Sequence, residues 1–170
     1  MKQIQRACMI ASLVALAACS NFKPDNNLGA GGGESVTLQP SDAIGAQDPK
    51  SPAYFQQTIG DRVLFTVDQS SVNQQGQMVL DGQAEWLAAN PDYQVVIEGH
   101  ADEQGTREYN LALGARRANS VKEYLTAIGI DAGRIQTVSF GKERPIEICS
   151  QESCYAQNRR AVTVLKNLGF

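Results

Sequence analysis

Apolar positions along this chain change their spacing several times, and each change predicts an element. Val63-Leu64-Phe65-Thr66-Val67 is a short apolar run suited to a buried strand, and Asp68 to Gly76 reads as polar turn material. Leu80, Ala84, Leu87 and Ala88 then recur at helical spacing, with Trp86 on a flank and Pro91 just beyond the end. Tyr93 to Gly99 predicts a second strand, so continuously apolar that both of its faces are expected to be covered. Thr106 is placed to cap a long helix reaching about Ile128, with Glu108 in its first turn and Gly129 to stop it. The expected core face of that helix is Leu111, Gly114, Ala118, Val121, Leu125 and Ile128. Arg134 to Phe140 and Arg160 to Leu165 predict two more strands, with a loop between them. The order βαβαββ predicts a two-layer α/β sandwich of about 110 residues, placed at 58–170.

The chain before that domain has a different character. Lys2 and Arg6 precede an uncharged apolar run from Ala7 to Ala18, a pattern expected of an export signal and too short to span a bilayer. The run ends in Leu16-Ala17-Ala18-Cys19, which resembles a bacterial lipobox. That resemblance implies cleavage after Ala18, acylation of Cys19 and stable anchoring by several acyl chains. Ser20 stands where an Asp would be expected to retain the protein at the inner membrane, so the expected location is the outer membrane, with the chain facing the periplasm. Residues 19–57 form the expected tether, rich in Asn, Pro and Gly and without apolar periodicity. As a flexible coil of about 35 residues it would span about 33 Å on average and about 115 Å when extended.

Charge and cysteine content narrow the function. The 170 residues carry 15 basic and 18 acidic groups, and losing Lys2 and Arg6 with the leader shifts the net charge from -3 to -5. An acidic chain does not hold nucleic acid by neutralising phosphates. With Cys8 removed and Cys19 acylated, Cys149 and Cys154 remain as thiols. In an oxidising compartment they read as a local disulfide, with free thiols or a metal site as the alternatives; His100, the sole histidine, leaves a metal short of ligands. No metal and no cofactor is expected.

Three blocks then carry a specific resemblance. Residues 97–118 read IEGHADEQGTREYNLALGARRA, residues 139–145 read SFGKERP, and residues 158–162 read NRRAV. Together they resemble the OmpA-like peptidoglycan-binding domains over about Gly60 to Leu165. Gln104 departs from the pattern, standing where Arg is common, and the Cys149 to Cys154 loop occurs only in some members. The resemblance implies helices packed on one mixed sheet and a ligand in the diaminopimelate of the peptidoglycan stem peptide. Combined with the lipobox and tether, it also implies TolB and the Tol complex as partners in outer-membrane constriction during division. A wall-binding lipoprotein without Tol partners is the alternative.

Diaminopimelate offers an ammonium and a carboxylate at its free end, so a receptor needs an anion and a cation at fixed separation. Asp102 lies in the loop after the second strand and Arg117 lies in the following helix. On a helical wheel Asn110, Leu113 and Arg117 fall within about 60° of one another, at the border of the core face. The resemblance implies that Asp102 takes the ammonium and that Arg117 grips the carboxylate with its two-pronged fork of donors. Asn110 would orient the loop or bond the peptide, and backbone amides around Asp68 and Gly105 would add contacts. Spacing alone favours an ordinary ion pair between Asp102 and Arg117 across a loop, a reading that the surrounding motif reverses, and Asp68 is as readily a turn former. Of Arg159 and Arg160, one would reach the ligand carboxylate and the other would pair structurally. His100 is expected to be structural. One histidine and adjacent, divergent Asp102 and Glu103 supply neither a nucleophile with its base nor a pair of convergent carboxylates, so a binding module is expected rather than an enzyme.

Overall fold

Sequence and backbone meet first at the strand Tyr93–His100 (β2), an interior member of the sheet. The computed structural model describes residues 47–167; the leader, Cys19 and most of the tether lie outside the described residues. β2 pairs antiparallel with Arg160–Asn167 (β4) on one side and parallel with Ile135–Gly141 (β3) on the other. A short strand Arg62–Leu64 (β1) adds antiparallel to β4, giving the order β1-β4-β2-β3. The α/β class and the expected βαβαββ series are both present on one mixed sheet. β2 nonetheless alternates instead of being covered on both faces. Val95, Ile97 and Gly99 are buried, whereas Gln94, Val96 and Glu98 are half-buried.

Two helices follow their caps. Asn73 accepts from the Gly76 N–H at 2.8 Å and starts α2 (Gln74–Ala89), so the helix begins inside the stretch expected to be turn. A preceding short helix, α1 (Pro52–Tyr54), runs into a π-helical turn, Phe55–Gly60. Phe55 is fully buried, 4.9 Å from Trp86 between ring centroids, and Trp86 donates Nε1–H to Pro49 O at 2.7 Å. The boundary drawn at 58 therefore falls inside the fold, and Trp86 belongs to the core rather than to a flank. Ala88 is exposed, while Gln83 is fully buried. Gln83 donates to Gly60 O at 2.8 Å and accepts from Thr163 Oγ1 at 2.8 Å, which satisfies its amide inside the core.

The long helix α3 (Arg107–Ala127) is capped by Thr106, whose hydroxyl accepts from the Tyr109 N–H at 3.2 Å. Its buried stripe is Asn110, Leu113, Gly114, Arg117, Ala118, Val121 and Leu125. Leu111 and Ile128, expected on that face, are 49% and 42% exposed. The stripe is turned because two polar residues, Asn110 and Arg117, occupy core positions that apolar counting skips. A Cβ on Gly99 would stand 1.9 Å from Gly114 O, so helix and strand backbones touch where both residues lack a side chain.

The remaining differences are local. β1 ends at Leu64, and although Phe65 N still donates to Arg159 O at 2.8 Å, Thr66 and Val67 turn away into a loop. The segment expected as loop between β3 and β4 holds a seven-residue helix, α4 (Glu152–Asn158), too short and too polar to show a period. Cys149 and Cys154 are joined by a disulfide with Cα atoms 5.9 Å apart.

Candidate functional site

Two loops and one helix converge above the carboxyl end of β2. The loop following β1 passes through Asp68, which adopts a left-handed conformation (φ 54°) open to a short polar side chain. The loop from Ala101 to Thr106 turns at Gly105, whose φ of 88° favours glycine. Asn110 Nδ2 holds that loop by donating to Gln104 O at 2.7 Å, and Lys142 Nζ donates to Gly105 O at 2.7 Å. Between the loops lies a cavity of about 250 Å³. Asp68, Asp102, Gly105, Leu113 and Arg117 line it, joined by Val67, Gln104 and Tyr109.

Five of the seven residues expected at the site thus share one cavity. Asn110 stands behind it as a loop anchor, and Arg159 is likewise outside the lining. The sequence reading missed Val67, Gln104 and Tyr109 as lining groups. Tyr109 follows Glu108 in the signature block, and its hydroxyl donates to Asp68 Oδ1 at 3.1 Å. Its position one residue before Asn110 on the helix was the available signal.

Arg117 is fully buried and bonded in three directions. Nε donates to Gln69 O at 2.9 Å, Nη1 to His100 O at 2.8 Å and Nη2 to Thr66 O at 3.1 Å. A guanidinium has five N–H groups, so these carbonyls leave two on a side chain that also faces the cavity. Burial lowers the Arg117 pKa to about 10, Asp102 opposing the fall, Arg159 adding to it and Asp68 and Tyr109 opposing it. The group therefore stays cationic near neutrality.

Asp102 does not spend its charge on Arg117. Its Oδ2 accepts from Arg159 Nη1 at 3.0 Å, and its Oδ1 accepts from the Gln104 N–H at 3.2 Å. Arg159 is buried and also contacts Glu152. Burial works against the Arg159 charge, but hydrogen bonds to Glu152 and Asp102 outweigh it and its pKa is raised. Arg160 is separate: it donates to Asn158 O at 3.3 Å and Arg144 O at 3.1 Å, a structural role. His100 is buried with its ring stacked on Phe140 at 5.5 Å, and neither ring nitrogen has a hydrogen-bond partner. Burial, then the charges of Arg160 and Arg144, lower its pKa to about 4. What reaches the site from His100 is its backbone carbonyl. Among the described residues no group of three or more His, Cys, Asp or Glu side chains could hold a metal ion.

Comparison with known proteins agrees with this architecture. Residues 64–159 match the OmpA family. A peptidoglycan-associated lipoprotein of Rhizobium meliloti (strain 1021) is 46% identical over 99% of this chain and 93% of its own length. One from Pasteurella multocida (strain Pm70) is 41% identical over 95% and 98%. The crystal structure of the peptidoglycan-associated lipoprotein from Burkholderia pseudomallei superposes with a TM-score of 0.63 at 39% identity, covering 71% of this chain and 98% of that one. The C-terminal domain of Helicobacter pylori MotB, at 18% identity and a TM-score of 0.59, shares the fold. With the family match spanning more than half of its residues and relatives this similar over nearly its whole length, the chain belongs to the OmpA family, among the peptidoglycan-associated lipoproteins.

Proposed function

We propose that this protein is an outer-membrane lipoprotein, anchored through acyl chains on Cys19, that holds the peptidoglycan stem peptide noncovalently in the cavity between its two loops. The observation that supports this reading most is the meeting of Asp68, Asp102 and Arg117 on one cavity. Diaminopimelate brings an ammonium for the carboxylates and a carboxylate for the two remaining Arg117 donors. Charge-assisted bonds of this kind are shorter and stronger than neutral ones. At a net charge of -5 after loss of the leader, bulk attraction to an anionic wall is unavailable, so binding rests on these placed groups.

The action is mechanical: acyl chains hold one end, the tether spans the gap, and the domain grips the wall. Contact with TolB would couple that grip to the Tol machinery and to constriction of the outer membrane during division. Incubating the full-length protein with purified sacculi tests the binding reading. Sedimentation without release of soluble fragments supports it, and released muropeptides or no sedimentation overturn it. Capture of TolB by the same protein tests the Tol assignment separately.

A further inference from the structure

Behind the cavity stands a carboxylate that lines no part of it. Arg159, buried and fixed by an Nε bond to Phe65 O at 3.2 Å, places Nη1 on Asp102 Oδ2 at 3.0 Å. The same guanidinium meets Glu152, with Nη2 donating to Oε1 and Nη1 at 3.5 Å from Oε2. One cation shared by two carboxylates leaves the trio with a net negative charge. Without Glu152, Asp102 and Arg159 would cancel, and the cavity would lose much of its pull on an ammonium.

Glu152 is held in an unusual way. It is the first residue of α4, it is exposed, and it lies inside the loop that the Cys149–Cys154 disulfide closes. The helix has seven residues and its N-cap, Gln151, makes no side-chain cap bond. A helix that short is weak by itself, so the covalent closure restricts where Glu152 can go. At the far end Asn158 fixes the preceding loop, accepting from Ile146 N at 2.9 Å and donating to Glu147 O at 2.8 Å.

Resting on the diaminopimelate reading above, we infer that Glu152 is a positioning residue that occupies Arg159 so that Asp102 keeps its charge for the ligand's ammonium, and that the Cys149–Cys154 disulfide holds Glu152 in that role. The test is calorimetric titration of the full-length protein in detergent with diaminopimelate and with its N,N′-diacetyl derivative, which keeps both carboxylates and lacks both ammonium groups. Glu152→Gln weakens diaminopimelate binding about three- to fivefold, the scale of a partly exposed ion pair, and leaves the derivative unaffected. Glu152→Asp restores most of the loss, and Cys149→Ser with Cys154→Ser falls between. Equal loss for both ligands with Glu152→Gln, or no loss, overturns the inference; a serine double variant that binds like the parent overturns the disulfide's part. Asp102→Asn, measured alongside, separates the two levels. If it binds diaminopimelate undiminished, the ligand assignment fails and this inference with it; if it loses binding while Glu152→Gln does not, only the inference fails.

Discussion

Arg117 pins three backbone carbonyls besides the ligand role proposed for it, and only the proposed role could be read from the sequence. Motif resemblance pointed to a ligand-facing guanidinium, but three of its donors satisfy the backbone carbonyls of Thr66, Gln69 and His100. Arg117→Ala would leave those carbonyls unpaired beside a large cavity, so it should cost about 3 to 5 kcal/mol of stability, seen as a lowered urea midpoint. Substitution of Asp102 is the cleaner probe of binding. His100 makes the opposite kind of prediction. In the unfolded chain its imidazole takes a proton below about pH 6.5, whereas in the fold it resists protonation until about pH 4. Its contribution is therefore complete above pH 6.5 and is lost as pH falls toward 4, at most about 3 kcal/mol. Urea midpoints measured from pH 7 to 4 should fall in that window and flatten in His100→Leu. Asp68 and Gly105 were legible because turns and the signature name them. The Asp102–Arg159–Glu152 cluster was not, because Asp102 lies 57 residues before Arg159 and Glu152 lies in a short helix with no apolar period.

Elements with strong periodicity were predicted well, and errors gathered where polar residues do the work of apolar ones. β2 and α3 stand close to their expected bounds. Gly114, Ala118, Val121 and Leu125 lie on the core face of α3 as expected, but the face extends to Asn110, Leu113 and Arg117 and leaves Leu111 and Ile128 exposed. α2 shows the same effect, with Gln83 inside and Ala88 outside. The Phe55 turn carries no readable signal because the adjacent aromatics Tyr54 and Phe55, at the end of a Pro- and Gly-rich stretch, have no apolar period to join. The close approach of β2 and α3 at Gly99 and Gly114 gives the prediction at this scale. Gly99→Ala would drive a methyl group into the Gly114 carbonyl and force the helix off the strand. It should cost about 2 to 4 kcal/mol, checked by chemical denaturation, and should weaken wall binding because α3 carries Arg117.

On the scale of the whole molecule, the proposed function makes the domain, the tether and the anchor separate devices joined in series. Cys19→Ala should leave the thermal melt of the domain unchanged and move the protein from the membrane fraction to the soluble periplasm, as fractionation would report. The central claim is that the cavity holding Asp68, Asp102 and Arg117 is where the wall is gripped. Its most direct measurement is sedimentation of the protein with purified sacculi, comparing the parent chain with Asp68→Asn combined with Asp102→Asn and adding free diaminopimelate as competitor. The variant preserves the shapes of both side chains and removes both charges. The account predicts a loss of about 2 to 5 kcal/mol in binding, an unchanged fold by circular dichroism, and displacement of the parent by diaminopimelate. A correctly folded double variant that sediments as fully as the parent would contradict it.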